Sequence, residues 1–547
     1  MNSYSFSSEI QVTPVSVAPK AGWLDSQRLS IKLPIGFLMG AILALATPGF
    51  DLAYLAWFGL IPLLILIRAC NTPWQSIFTG FTFGAGYYAI ALSFLTGMYP
   101  LRWLGLHDAV SFQLVLLAWL VEVIHYSSLT ALFALFVFCL PLRPSFLPNH
   151  RRPFYPYLLA VPSIWVFLQW VVATSPMFLG SPLSQLAYTQ SRNLPLIQLA
   201  AVGGSALVDF VIVMFNAACA QLIIETTGIA RNLGERTDQL NIKFGSVLDL
   251  VLCCLAIAFA LSWGGQRIAI IEDEVRPEHA IRFNPQTPPI PVTIVQGAVS
   301  IEEERFKTIS SAAFCGRYNE LTADTSSSLV VLPEGVVTLS QMGQGGLLPA
   351  LKHISQEERK EIIYGAIEPL KNGHINVARL VSPFGYKESA YVKQRLIPFA
   401  EVAPFGEIVP ESLRDKLPTN SEVFLAAQKA QIIRSGWGKI GVAICNEVIF
   451  PKIVSDQVRE GASLIVVLAN LGWFHNSSLN KQYLACATLR AVENKRFLVL
   501  STNTGVSGVI DPAGLVVSKS YALKRGVLTD TVQFIYSKTP FNRMHWL

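Results

Sequence analysis

Charged residues are what this sequence has least of. Asp, Glu, Lys and Arg make up 14% of its 547 residues, against roughly a quarter in an ordinary soluble protein. The deficit falls on residues 31–263, which read as repeated apolar stretches, whereas residues 291–533 have the mixed composition of a water-soluble domain. Paired cysteine motifs are missing as well. The eight cysteines form no CxxC pair and no metal-ligand spacing, so no metal, no cofactor and no disulfide framework is expected. Five lie in or beside apolar spans, where a thiol is usually a small buried hydrophobe; Cys315, Cys445 and Cys486 fall in the polar half. The net charge of +6 says little by itself, and no nucleic-acid partner is expected. What remains is room for two domains of roughly 265 and 245 residues, each large enough for a substantial core.

Seven segments approach the ~20 apolar residues that a bilayer core requires: about 33–48, 52–67, 77–98, 110–140, 157–178, 194–224 and 246–263. One set of alternating connections carries Lys20, Arg28, Lys32, Arg68, Arg143, Arg151, Arg152, Arg231, Arg236 and Lys243, and the other only Arg102 and Arg192. Positive charge marks the cytoplasmic side, so the amino terminus is expected inside and everything from residue 264 onward outside. Ala44-Leu45-Ala46 resembles a signal-peptidase site, but the polar leader before it is long for a signal peptide; cleavage there would not change the side of the soluble domain. Three ionisable groups fall inside the spans, Glu122 and His125 on one helical face and Asp209 in the sixth segment. Such groups either pair internally or meet a polar ligand.

Five prolines between Pro277 and Pro291 mark a linker. Beyond it come short β-rich runs: Pro291–Gln296, Ser328–Leu332, Glu361–Ile367, Lys439–Ile444, Ser463–Ala469, Phe497–Ser501 and Ser507–Ile510, with helical patterns at Glu302–Leu321 and Asn480–Lys495. Strands without polar alternation are buried on both faces, so a layered α/β domain is expected. The expected order is a leader (1–30), a polytopic α-helical membrane domain (31–265), a linker (266–290), the α/β domain (291–535) and a tail (536–547).

Three residues stand at the ends of such runs or in the loops after them. Glu334 follows Leu332-Pro333, Lys393 follows Tyr391-Val392, and Cys445 follows Ile444 with Glu447 two residues on. A thiol needs a base or a positive field to become a nucleophile. A carboxylate raised toward neutrality by burial can take its proton, and an ammonium can stabilise the oxyanion formed on a carbonyl. Singly, each is more often structural: a buried thiol, a solvated strand end, a surface charge.

Together the three segments resemble the carbon–nitrogen hydrolase (nitrilase) superfamily, whose signature is Glu after a hydrophobic-Pro strand, Lys in a loop, and Cys followed one residue later by an acid. The whole chain, from about residue 33 to about 540, is more closely similar to the apolipoprotein N-acyltransferase family. That likeness rests on Val295-Gln296-Gly297, Leu332-Pro333-Glu334, Tyr391-Val392-Lys393 through Glu401, Ile444-Cys445-Asn446-Glu447 through Pro451, Trp473-Phe474, Leu489 through Glu493, Thr502-Asn503-Thr504-Gly505 and Ile510-Asp511-Pro512, with Tyr188-Thr189-Gln190 and Val202-Gly203-Gly204 in the membrane half. The resemblance implies an α-β-β-α sandwich and a ping-pong acyl transfer at the outer face of a bacterial inner membrane. Cys445, activated by Glu334 and assisted by Lys393, would take an acyl chain from a phospholipid and pass it to the amino-terminal diacylglyceryl-cysteine of an apolipoprotein. Glu401 and Glu447 would orient Lys393 and its surroundings, and Trp473 and Phe474 would line a lipid-facing entrance. A monomer in contact with membrane lipids is expected.

The chain departs from the family in four places. Asn446 stands where an aromatic residue is usual, Phe306 where Trp is usual, and Leu471-Gly472 where Asp-Ala commonly precedes Trp-Phe; these bear on lipid and acceptor choice. No apolar run follows Lys538, where relatives carry one more span. A membrane-tethered amidase, with water in place of the lipoprotein amine, would share the same three residues. Lipid extraction favours the transferase. At about 0.8 kcal/mol per CH₂, lifting one sixteen-carbon chain into water costs on the order of 12 kcal/mol, a reason to fuse the site to a membrane domain that a soluble amidase lacks.

Overall fold

The computed structural model describes residues 23–102, 105–140, 157–174, 183, 185–229, 239–276, 288–305, 308–384, 389–398, 401–402, 424–429 and 431–544. Phe306, the leader before residue 23, residues 277–287 of the expected linker, and His545 and Trp546 of the tail lie outside them.

The first half is helical. Each of the seven expected segments overlaps a helix, and among the described residues four helices are long and apolar enough to cross a membrane: Asp108–Cys139, Tyr157–Thr174, Ala200–Thr227 and Gly245–Val275. Leu29–Ala44 has 16 residues, about 24 Å at 1.5 Å per residue, short of the ~30 Å hydrocarbon core. Pro73–Ala91 reaches 19 residues but is diluted by Gln75, Ser76, Thr79 and Thr82. The last helix runs on to Val275, so residues 266–275, expected in the linker, continue it. Its far end is tied to the second half by Lys495 Nζ, 2.6 Å from Glu274 Oε2.

Leu29–Ala44 and Pro73–Ala91 touch backbone to backbone. A Cβ on Gly40 would lie 1.9 Å from the Phe83 carbonyl oxygen, and one on Gly86 2.0 Å from that of Phe37. Small residues at such a crossing let dispersion replace the hydrophobic driving force that lipid cannot supply. The charged groups in this half find internal partners. Lys32 is buried and donates to the Ala69 carbonyl at 2.6 Å. Asp209 accepts from the Ala187 N–H, and His125 Nδ1 lies 3.7 Å from Glu122 Oε2.

The second half holds two six-stranded sheets. In chain order the strands are β1 (Ile290–Gln296), β2 (Leu329–Val331), β3 (Glu361–Leu370), β4 (Gly373–Val381), β5 (Ala390–Val392), β6 (Ile433–Arg434), β7 (Lys439–Ile444), β8 (Leu464–Ala469), β9 (Leu498–Thr502), β10 (Gly508–Ile510), β11 (Val516–Lys519) and β12 (Gly526–Val532). One sheet runs β12-β1-β2-β3-β4-β5 and the other β11-β10-β9-β8-β7-β6. Parallel pairing joins β1, β2 and β3 in one sheet and β7, β8 and β9 in the other.

Alternation with period 2 decides which core each side chain enters. Val292, Ile294, Leu329 and Val331 meet Val442, Ile444, Val466 and Leu468 between the sheets. Val295, Val330 and Ile362 face helices Ser311–Ala323 and Leu347–Glu357. Ala443, Ile465, Val467 and Leu500 face the opposite way, in a cluster that continues through Val454 and Leu489 into Tyr87 and Val208 of the membrane half. The layers are therefore α-β-β-α, with the helical layer Pro451–Arg459 and Leu479–Asn494 shared between sheet and membrane helices.

Polar contacts pin that shared layer. Gln482 Nε2 donates to the Ala91 carbonyl at 3.0 Å, and the Ser205 N–H to Glu493 Oε1 at 2.8 Å. The expected tail is built into the junction: Thr539 Oγ1 donates to the Glu493 carbonyl at 2.6 Å and Asn542 Nδ2 to Asn494 Oδ1 at 2.7 Å. Phe541 packs on Gly204, where the helix kinks and φ is +69°.

The crossing of helices Leu29–Ala44 and Pro73–Ala91 gives a test with opposite signs. Ala in place of an open helical Gly is favourable by roughly 1 kcal/mol, whereas overpacking costs about 1–3 kcal/mol. Gly86→Ala should lower the thermal unfolding midpoint in detergent by several degrees, and Gly265→Ala, with nothing within 4 Å of the added carbon, should not lower it.

Candidate active site

Two parallel strands from facing sheets end at one place. β7 delivers Cys445, the first residue of a 3₁₀ turn Cys445–Ile449, and β2 leads through Leu332-Pro333 to Glu334. Cys445 has φ +52°, a left-handed conformation that a non-glycine residue adopts only where its surroundings enforce it. Glu334 comes close to β3 because residue 365 is glycine: a Cβ there would lie 2.6 Å from Glu334 Cα. β5 supplies Lys393, which follows Val392 directly.

The charged groups form one cluster. Lys393 is fully buried, with Nζ 2.8 Å from Glu401 Oε1 and 3.4 Å from Glu334 Oε1. Asn376 on β4 donates to both carboxylates, at 2.8 Å to Glu334 Oε1 and 3.2 Å to Glu401 Oε1. The other oxygens are held by backbone: Glu334 Oε2 accepts from Asn470 N and Glu401 Oε2 from Ile397 N, both at 2.8 Å. Burial alone would lower the Lys393 ammonium, but Glu334, Cys445 and Glu401 outweigh it and hold it well above the ordinary lysine range. Burial pushes the Cys445 thiol up, and the neighbouring Glu334 charge adds to the effect although Lys393 opposes it. Both influences favour the neutral thiol over the thiolate beside the Glu334 carboxylate. Such an arrangement can pass a proton from sulfur to carboxylate as the sulfur attacks, with a fixed cation at hand for the developing oxyanion.

Glu447 acts on geometry. Its Oε1 accepts from the N–H of Gln394 at 2.6 Å and of Arg395 at 3.1 Å; its Oε2 accepts from the N–H of Ile444 at 2.7 Å and the Tyr391 hydroxyl at 2.8 Å. Burial raises its carboxyl to about 6 against the pull of these donors. It thus joins the end of β7 to the Lys393 loop without touching the Lys393 side chain, whereas Glu401 meets the ammonium directly.

The remaining sequence candidates are placed as follows. Asn446 lies in the turn, with a buried Oδ1 that has no hydrogen-bond partner. Trp473 and Phe474 form a 3₁₀ turn after β8, and Phe474 packs edge-on against Phe94 of the membrane half at 5.7 Å. Phe306 lies outside the described residues. Sequence reasoning passed over Asn376, an ordinary polar residue on β4, and Tyr483, whose hydroxyl donates to the Cys445 carbonyl from helix Leu479–Asn494. No local signal marks either one; the fold alone brings them in.

The chain matches the apolipoprotein N-acyltransferase N-terminal domain over residues 39–218 and the carbon-nitrogen hydrolase domain over residues 293–537. It is similar to the apolipoprotein N-acyltransferase of Geobacter metallireducens, with 27% identity over 92% of this chain and 90% of that one. The enzymes of the same name from Gloeobacter violaceus and Synechocystis sp. share 27% and 25% identity, over 87% and 86% of this chain and 83% and 89% of theirs.

Removing the Tyr483 hydroxyl leaves the Cys445 carbonyl without that donor and the strained turn less firmly held. An unmatched buried acceptor costs about 1–3 kcal/mol, so Tyr483→Phe should lower the thermal unfolding midpoint in detergent by several degrees. Differential scanning fluorimetry reads it.

Proposed function

Because the chain belongs to the apolipoprotein N-acyltransferase family of the carbon–nitrogen hydrolase superfamily, we propose that it N-acylates lipoproteins by a ping-pong route through a Cys445 thioester, with a phospholipid as donor. The observation that carries the reading is the contact of thiol, carboxylate and buried ammonium at the junction with the membrane helices, where Phe474 meets Phe94. Cys445 attacks the ester carbonyl and its proton passes to Glu334. Lys393 offsets the charge on the tetrahedral oxygen. Collapse breaks the ester C–O bond, and the departing lysophospholipid oxygen takes the proton from Glu334. The α-amine of a diacylglyceryl-cysteine then attacks the thioester, gives a proton to Glu334, and forms the amide as the sulfur leaves and is reprotonated. Glu401 fixes Lys393, Glu447 fixes the loop and turn, and Trp473, Phe474, Asn446 and Phe306 contribute to the lipid side of the site.

The membrane half serves the same chemistry, since neither substrate leaves the bilayer at an affordable free energy. The Lys and Arg bias between the connections supports a catalytic domain on the outer, periplasmic side of the inner membrane. Tyr521 is 72% exposed, so Tyr521→Cys should react with an impermeant maleimide in spheroplasts; labelling only after lysis would put the domain inside.

The transfer itself is tested by incubating purified protein with phospholipid and a diacylated lipopeptide. Mass spectrometry should show a triacylated peptide and, without acceptor, an acyl adduct on the enzyme. Cys445→Ser should lose the thioester, and Glu334→Gln should lose at least 10²-fold in rate, the usual worth of a positioned base. Unchanged lipopeptide with rapid release of free fatty acid would instead make the protein a hydrolase.

A further inference from the structure

Arg395 lies two residues beyond Lys393 and has no carboxylate partner among the described residues. Its backbone N–H is fixed by Glu447, so the residue is held to the end of β7 that presents Cys445. Its guanidinium stacks over the Phe450 ring at 3.9 Å. One nitrogen, Nη1, donates to the Ala173 carbonyl at 3.3 Å, at the end of helix Tyr157–Thr174. Tyr126 of helix Asp108–Cys139 is the other charged or titratable neighbour that acts on it. The side chain is half-buried, and burial lowers it from the ordinary guanidinium range.

A partly desolvated cation needs partners, because losing water without gaining a counter-charge is costly. Among the described residues Arg490 pairs with Glu493 at 2.8 Å and Lys393 lies between two carboxylates, whereas Arg68 and Arg496 are buried against backbone carbonyls. What sets Arg395 apart is its place in the loop that carries Lys393. Arg395 has a carbonyl, an aromatic face and a phenol, and the rest of its five-donor fork meets no acceptor among the described residues. The planar fork suits the paired oxygens of a phosphate better than a single point acceptor. Its location adds the rest. It stands where the Lys393 loop meets the last turn of helix Tyr157–Thr174.

We propose that Arg395 binds the phosphodiester of the acyl donor, seating the headgroup beside the membrane helix end while the ester reaches Cys445. The assignment rests on the transferase reading above and extends it to how the donor is recognised. A donor is then selected by the phosphate common to phospholipids, and neutral acyl esters are handled without this contact.

The test uses the full chain in detergent micelles and follows acyl-enzyme formation by mass spectrometry with two donors, a phosphatidylglycerol and the p-nitrophenyl ester of the same fatty acid. For Arg395→Gln, the preference for phospholipid over the neutral ester should fall about ten- to a hundredfold, mainly as a higher half-saturating phospholipid concentration. Charge-assisted hydrogen bonds are worth that much. Arg395→Lys should recover part of it, since charge remains and the fork is lost. Equal losses with both donors, or no loss with phospholipid, would overturn the assignment and leave Arg395 a structural member of the loop. Inorganic phosphate that slows wild type with either donor, and not Arg395→Gln, would mark a free-phosphate site and overturn the headgroup reading. Wild-type protein acylated by the neutral ester but by no phospholipid would overturn the donor class itself.

Discussion

Glu447 places a carboxylate where three backbone N–H groups and one phenol converge. A buried charge is tolerable only when its acceptor capacity is filled, and here it is filled from two separate pieces of chain. Ile444 belongs to the strand that presents the thiol; Tyr391, Gln394 and Arg395 belong to the loop that presents the ammonium. The energetic need of one carboxylate therefore fixes the distance between two functional groups that are far apart in sequence. Lys393 depends on this indirectly, because its loop is seated before Glu334 and Glu401 can neutralise it. The strained backbone at Cys445 depends on it as well, since the turn is held from one side by Glu447 and from the other by the Tyr483 hydroxyl.

The same helix that carries Tyr483 also makes the domain junction. Leu479–Asn494 is buried along nearly its whole length, one side on the second sheet and the other on membrane helices. Gln482, Arg490 and Glu493 would be costly there without partners, and each has one: Ala91, Ile449 and Ser205. A helix polar enough for a protein surface is thus made into an interior layer, and the site is held against the membrane half by hydrogen bonds as well as by apolar packing. Polar contacts of this kind fix one arrangement where apolar contact alone would permit several.

Much of this was legible in the sequence, and the pattern of what was not is instructive. The central strands β1, β2, β7, β8 and β9 were visible because both of their faces are buried, which leaves continuous apolar runs. The edge strands β11 and β12 alternate half-buried and exposed residues, so a search for unbroken apolar runs passes over them; β4 and β5 escaped for want of such a run. Glu302–Leu321 read as one helix, whereas Ile301–Arg305 and Ser311–Ala323 are separate, the second begun by the Ser310 hydroxyl capping Ala313 N. In the membrane half the seven apolar segments correspond to helices, but apolarity alone does not give helix length: Leu29–Ala44 is too short for a full hydrocarbon core, and the last helix continues well past its apolar part.

The candidate residues were likewise readable, since each stood near the end of a strand run. Glu334, Lys393 and Cys445 were proposed that way, and Glu401 and Glu447 through the family resemblance; the fold brings all five into one cluster. Asn376 and Tyr483 carry no such mark, since an amide on a strand and a phenol on a helix are ordinary until something faces them. Arg395 is the clearest case. In the sequence it is one more basic residue in a loop; only the tertiary structure reveals a half-buried cation with no carboxylate partner among the described residues, because pairing is a property of neighbours in space and not of neighbours in the chain. The sequence by itself determined the division into membrane helices and an α/β half, and it offered candidate residues for the site, through composition, period and residue type. The folded chain decided which of those groups come together and which are held by Glu447, because contact is a matter of neighbours in space.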